Sequence, residues 1–186
     1  MKLLALETST RQGSIALWDG GVVAECAYAA GFRQATSLVG SVDGLCREAG
    51  WAATDLDRVA VSIGPGSFTG VRVGLSVAKM LALSVGVEVV AVPSLLVTAQ
   101  RSSSASIAVA LDARKGRVIL GRFERVADGV VTTAEPTIVP VGALDELPAG
   151  TALLREDTPP QAADVAALGA RMDPVDAIAL VPAYVR

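Results

Sequence analysis

The sequence predicts an α/β fold made of two similar β-β-β-α-type units, the second one shorter. Three observations lead there. Apolar strand-like runs alternate with segments of helical period. Asp19-Gly20-Gly21 and Asp128-Gly129 each mark a hairpin turn. The strand-turn-strand opening of the chain recurs after Arg101-Ser102-Ser103-Ser104, a candidate linker. A chain of 186 residues fits one or two small domains and can bury a core without staples.

Residues 2–6 read as a buried strand that runs into the polar turn Glu7-Thr8-Ser9-Thr10. Residues 13–18 and 22–28 flank the first hairpin turn and continue a meander. A helix follows over 33–49, because Ala35, Leu38, Val39, Val42, Leu45, Cys46 and Ala49 keep a 3.6-residue period until Gly50 stops it. Its other side carries Ser37, Gly40, Ser41 and Gly44, which are small for a solvent face. Each glycine costs a helix about 1 kcal/mol, which a close helical neighbour would offset; a tolerated weak helix is the alternative.

The stretch from Ile63 to Gly74, Ile-Gly-Pro-Gly-Ser-Phe-Thr-Gly-Val-Arg-Val-Gly, is the most informative in the chain. It follows a strand-like run over 58–63 and opens a helix over 71–84, with Ser67 or Thr69 as N-cap. Such a strand, turn and helix start gathers backbone N–H groups, so Gly66, Ser67, Phe68, Thr69 and Gly70 form a candidate anion-binding loop. A capped helix start is the competing reading. The two common nucleotide motifs fail letter by letter. A P-loop needs Lys after its last glycine, where Val71 stands, and a dinucleotide fingerprint needs glycine where Thr69 stands. Gly70, Gly74 and Ala78 then form a small-residue ridge, suited to core packing or to another helix. Glu88–Val92 reads as a strand, and Ser94 caps a short helix to Gln100. Strands are expected over 107–111, 117–123 and 130–133, one turn over 144–147 and a helix over 160–168, with an ordered tail over 181–186.

Composition removes whole classes of chemistry. The chain has no histidine, which excludes a Ser-His-Asp or Cys-His triad and an H-E-x-x-H metallopeptidase. Ser76-Val77-Ala78-Lys79 satisfies S-x-x-K but has no S-D-N or K-T-G companion. Cys26 and Cys46 match no ligand spacing and read as small core residues. The formal charge is −3, and the cluster Arg114-Lys115-Gly116-Arg117 with Arg122 and Arg125 is too small for autonomous tRNA or DNA binding. No apolar run approaches the ~20 uninterrupted residues of a membrane span, and Glu7 ends the first apolar run too early for a signal peptide. A cytoplasmic location with no membrane contact is the expectation.

Leu4-Ala5-Leu6-Glu7-Thr8-Ser9, the Ile63–Gly74 stretch, Leu111-Asp112-Ala113-Arg114-Lys115-Gly116 and the closing Pro182-Ala183-Tyr184-Val185-Arg186 resemble the TsaB (YeaZ) family. The resemblance is strong over about the first hundred residues and faint after Phe123. It implies an actin-like (ASKHA, RNase H-like) fold of two β-β-β-α-type subdomains, over 1–101 and 102–186, with the tail packing back on the first. It implies a role in making threonylcarbamoyladenosine next to the anticodon of tRNA, as the non-catalytic partner of a TsaD-like transferase. TsaD-type proteins carry the ATP site and a histidine-held metal, and TsaB-type proteins have lost both.

The family's first two helices pair with those of the TsaD-like paralogue, or with a second copy when the protein is alone. That places the partner interface on Ser37, Gly40, Ser41, Gly44, Gly70, Val71, Gly74, Leu75 and Ala78. A TsaE-like ATPase would join through the paralogue, and tRNA only indirectly. No catalytic residue, metal or cofactor is expected in the isolated chain. ATP or ADP would meet Glu7, Ser9, Asp112 and Arg114 only in the complex. Against the family pattern, Glu7 stands for Asp, Gln34-Ala35 for a His-Ser pair, Gly40 for Pro, and Arg117 and Ile119 for Glu and Tyr. An independent ATP-dependent phosphotransferase, with Asp112 as acid and the Glu7–Thr10 turn as phosphate loop, is the second reading; a glycoprotease is the third.

Overall fold

β1 (Leu3–Glu7) is buried along its whole length because it sits at the centre of a sheet covered on both faces. The structure, a computed structural model, describes residues 1–29 and 34–185. The chain divides into two units, Met1–Ser94 with Pro160–Ala183, and Leu95–Pro159 with Tyr184–Arg186. Both contain a sheet and at least one helix, the mixed α/β architecture of an actin-like fold.

In the first unit β1, β2 (Gln12–Trp18) and β3 (Val22–Ala29) form the antiparallel meander. β4 (Arg58–Ser62) and β5 (Glu88–Val92) extend it in parallel, giving the order β3-β2-β1-β4-β5. Period-two alternation sorts the side chains. Leu4, Leu6, Ile15, Leu17, Val59 and Val61 face the helices α1 (Gln34–Glu48) and α2 (Phe68–Val85) and join one core with Leu38, Leu45, Val71 and Leu75. The opposite face carries Ala5, Ala16 and Ala60, all fully buried. These small residues let α4 (Ala162–Gly169) lie close: a Cβ at Gly169 would overlap the Cβ of Ala60. The segment after α4 stays with this unit. Val175 N donates to Val89 O at the edge of β5, Leu180 enters the core, and Ala183 N donates to Ile63 O. The edge of β5 is thereby blunted.

α2 begins at Phe68, earlier than residue 71, because Ser67 caps it: its Oγ accepts the Gly70 amide at 3.2 Å. Gly86, left-handed at φ 77°, ends it. Arg33, expected as the start of α1, lies outside the described residues.

The second unit has α3 (Ser94–Gln100) from Leu95 on, with β6 (Ser106–Asp112), β7 (Arg117–Val126), β8 (Gly129–Pro140) and β9 (Ala152–Leu154) in the sheet order β8-β7-β6-β9. Leu95 and Ala99 of α3 pack with Ile107, Val109 and Phe123, while Ala108, Val118 and Leu120 pack on the other face with Leu144. Arg125 donates to the carbonyls of Gln100 and Ser102, each at 3.1 Å. Arg101–Ser104 is therefore bonded into this unit, and the division falls ahead of it, at Ser94–Leu95.

Two elements differ from the sequence reading. β8 runs on to Pro140 instead of stopping near 133; as an edge strand it tolerates Pro136, whose missing N–H interrupts no inner ladder. β9 pairs parallel with β6 and is too short to carry a period.

Candidate interaction face and strand-end turns

At the C-terminal end of β1 the chain seals a carboxyl. Glu7 is fully buried, and its Oε1 accepts both the amide and the hydroxyl of Ser9, each at 2.6 Å. Thr8 N donates to Ser62 Oγ at 3.2 Å. Burial pushes the Glu7 carboxyl above the ordinary 4.5, against the lowering effect of the Ser9 bonds and of the Ser62 hydroxyl. This turn seats the glycine-rich loop. Ser9 O accepts the Ser67 amide at 2.6 Å, and a Cβ at Gly66 would overlap that same carbonyl. Two amides of the candidate anion loop, those of Ser67 and Gly70, are thus already bonded within the unit.

The two small-residue ridges end up in opposite environments. On α2, Gly70, Val71, Gly74, Leu75 and Ala78 are buried against the unit's own sheet, and a Cβ at Gly74 would overlap Thr8 Oγ1. These five expected interface positions are corrected: core packing uses them, so they present no surface to a partner. On α1, Ser37 and Gly40 are exposed and Ser41 and Gly44 half-buried, with open space where a Cβ of Gly40 or Gly44 would stand.

The outward stripe of α2 is instead Phe68, Arg72, Ser76, Met80 and Leu83, at helical spacing. Phe68 is 60% exposed, Met80 48% and Leu83 75%. The Arg72 guanidinium lies 3.7 Å from the centroid of the Phe68 ring. Beside it a groove between α1 and α2 is lined by Val39, Cys46, Trp51, Leu56, Val77 and Met80. Sequence reasoning missed this stripe because it weighed small residues; the signal was the apolar Phe68, Met80 and Leu83 opposite a glycine face.

In the second unit Asp112 closes a tight turn. Its Oδ1 accepts the Arg114 amide at 2.8 Å, and its own amide donates to Glu156 Oε1 at 3.3 Å. Arg114, Lys115 and Gly116 are consecutively left-handed, at φ 64°, 54° and 69°. The four charged side chains Asp112, Arg114, Lys115 and Arg117 are exposed. Glu7 and Ser9 belong to the first unit, Asp112 and Arg114 to the second. The S-x-x-K residues are engaged elsewhere: Ser76 Oγ donates to Arg72 O, and Lys79 Nζ donates to Ile178 O. Cys46 is buried and Cys26 half-buried, both with the main core, and burial raises both thiols. No group of three metal-ligating side chains occurs among the described residues.

The family model described as TsaD, tRNA N6-adenosine threonylcarbamoyltransferase, matches residues 4–179. The chain is 31% identical over 134 residues to the tRNA threonylcarbamoyladenosine biosynthesis protein TsaB of Escherichia coli, covering 70% of this chain and 58% of that protein. It is 35% identical over 127 residues to TsaB of Bacillus subtilis, covering 67% of this chain and 56% of the relative. The match thus spans little more than half the length of these curated relatives. A solved structure, YeaZ from Pseudomonas aeruginosa, superposes with a TM-score of 0.86 at 28% identity, covering 99% of both chains. The resemblance read from the glycine-rich stretch and the strand-end turns therefore holds along the fold: the chain belongs to the TsaB (YeaZ) branch of the TsaD family of tRNA threonylcarbamoyladenosine biosynthesis proteins.

Proposed function

We propose that this chain is a non-catalytic subunit that docks a TsaD-like transferase through the outer faces of α1 and α2 and so supports formation of threonylcarbamoyladenosine in tRNA. The observation that carries the reading is the exposed stripe Phe68, Met80 and Leu83 on α2, beside the groove that Val39 and Cys46 line from α1. Apolar side chains of that size on one helix face are retained against solubility when a partner covers them. Ser37, Gly40, Ser41 and Gly44 let a second helix approach α1, and the α2 stripe supplies the anchors. The non-catalytic part of the proposal rests on chemistry: no histidine in the chain, a diverted S-x-x-K pair, and a Glu7 carboxyl closed off from any substrate. Alone, the chain would pair with a second copy through the same face. In the complex, ATP or ADP would be met by the exposed Asp112–Arg114 turn, and a TsaE-like ATPase would join through the transferase.

The test is binding of a purified TsaD-like paralogue by isothermal titration, with Phe68→Asp and Met80→Asp as variants. Each places a charge on an exposed position, so folding is expected to survive, while affinity drops by about tenfold or more. Affinity unchanged in both variants would remove the α2 stripe from the interface. Loss of binding in Gly44→Leu alone would move the interface to α1.

A further inference from the structure

The docking stripe ends at Leu83 on α2, and the segment after α4 has no role in it. Apart from a bridge at Val175, residues 170–183 form no helix or strand, yet they are tied down repeatedly. Val175 N donates to Val89 O, Ala183 N donates to Ile63 O, and Leu180 enters the core. Between these ties a turn over 177–179 presents Ile178 at the surface. Side chains hold both of its backbone groups. The Ile178 amide donates to Asp176 Oδ1 at 2.9 Å, and its carbonyl accepts Lys79 Nζ at 3.1 Å. The Ile178 side chain is 76% exposed, more than any other large apolar residue among those described. Leu83 follows at 75%, one helical turn beyond Lys79 on the same side of α2.

We propose that Leu83, Lys79 and Ile178 form a second docking element for the TsaD-like transferase: two apolar anchors that share one ammonium and fit an apolar face carrying an acidic side chain. The element rests on the docking reading and extends that interface from α2 onto the tail. Continuity selects the partner. Phe68, Met80 and Leu83 lie along one side of α2, so a body that covers the stripe reaches Leu83. Lys79 then ties Ile178 to the same turn of the helix. Any other protein seated on Ile178 would compete with the transferase for Leu83.

The chemistry of the partner follows from what each group needs when covered. An ammonium has three donors, and the Lys79 bond to Ile178 O uses one of them. Apolar surface laid over Leu83 and Ile178 takes water away from the other two, which then require acceptors. A carboxylate supplies them and compensates the charge. The main anchor is also preformed. Ile178 has its amide and carbonyl already bonded, and its β-branched side chain has few rotamers, so little conformational freedom is lost on binding. Lys79 therefore acts twice, as a contact to the partner and as the positioning residue for Ile178.

Isothermal titration of the full chain with a purified TsaD-like paralogue tests the element. Ile178→Asp is expected to weaken binding by about tenfold or more, and Ile178→Ala by about fivefold. Lys79→Met should cost about tenfold alone but clearly less in the Ile178→Ala background, since part of its role is to present Ile178. Lys79→Glu should cost more than Lys79→Met, because it sets two carboxylates against each other. Phe68→Asp, run alongside, separates the two readings. Weaker binding in Phe68→Asp with unchanged binding in Ile178→Asp overturns the tail element and leaves the α2 stripe standing. Loss in Ile178→Asp alone keeps the tail element and removes the stripe. Additive costs of Lys79→Met and Ile178→Ala overturn the positioning role, and a Lys79→Glu no worse than Lys79→Met overturns the acidic partner group. If the Lys79 variants do not fold, the exposed Ile178 variants decide by themselves.

Discussion

Gly74→Leu is expected to destabilise the first unit by about 3 kcal/mol, whereas Gly40→Ala is expected to be neutral or stabilising by up to about 1 kcal/mol. Both positions are helical glycines on small-residue stripes, and their sequences give no reason to treat them differently. At Gly74 the first added carbon already overlaps Thr8 Oγ1, and Thr8 is itself fully buried with its amide tied to Ser62. The rest of a leucine has to displace the turn or lift α2 off the sheet. At Gly40 a Cβ meets nothing, so alanine only removes the entropy cost of glycine in a helix. Urea unfolding of the two variants against wild type measures the contrast. Equal midpoints for wild type and Gly74→Leu would mean that α2 does not pack on the Thr8 turn. Gly74 is consequently a poor probe of partner binding, because its replacement acts on folding first.

Arg58→Met should cost about 2–3 kcal/mol, and Glu88→Gln less than about 0.5 kcal/mol, although the two side chains form an ion pair at 2.7 Å. The asymmetry lies in what else each touches. Glu88 is 55% exposed and water replaces its partner readily. Arg58 is only 14% exposed, and its Nη1 donates to the carbonyls of Gly169 and Met172, each at 3.1 Å. Gly169 is the last residue of α4, where a helix presents unpaired acceptors and a partial negative charge, and Met172 lies in the turn just beyond it. Methionine keeps much of the stem's packing but leaves the carbonyls without donors, so the loss reports the hydrogen bonds. Lysine has no planar fork to reach both carbonyls and Glu88 together, so Arg58→Lys should recover less than half of the loss. Comparable effects of the Arg58 and Glu88 variants in urea unfolding would refute this division.

Much of the fold is legible locally. β1, the hairpin around Gly20, the termination of α1 at Gly50 and the strand Glu88–Val92 each follow from a short-range period or a turn residue. The cap was readable as Ser67 or Thr69, since a hydroxyl ahead of an apolar helix has one common use, and the structure selects Ser67. β9 and the long edge strand β8 were not, because three residues carry no period and Pro136 disguises an edge. That the tail packs back on the first unit was implied by the family resemblance, but that the return begins at Pro160 and includes α4 was hidden. It depends on Ala5, Ala16 and Ala60 leaving room for α4, a fact about the distant face of a sheet.

The candidate site divides in the same way. The sequence alone established the family motif, the absence of imidazole chemistry and the presence of two glycine stripes, since all three are statements about residue types at fixed spacing. Only the tertiary structure decided which stripe is open. The α2 stripe is consumed by Thr8 and the sheet, the α1 stripe faces space, and the exposed anchors lie on the opposite side of α2. It also turned Glu7 from a residue of an expected cleft into a sealed carboxyl holding the α2 cap through Ser9. The physical reason is common to both. Spacing sets which residues share a helix face or a strand end, but burial is set by pairings between residues far apart in the chain, such as Glu7 with Ser62 and Gly74 with Thr8.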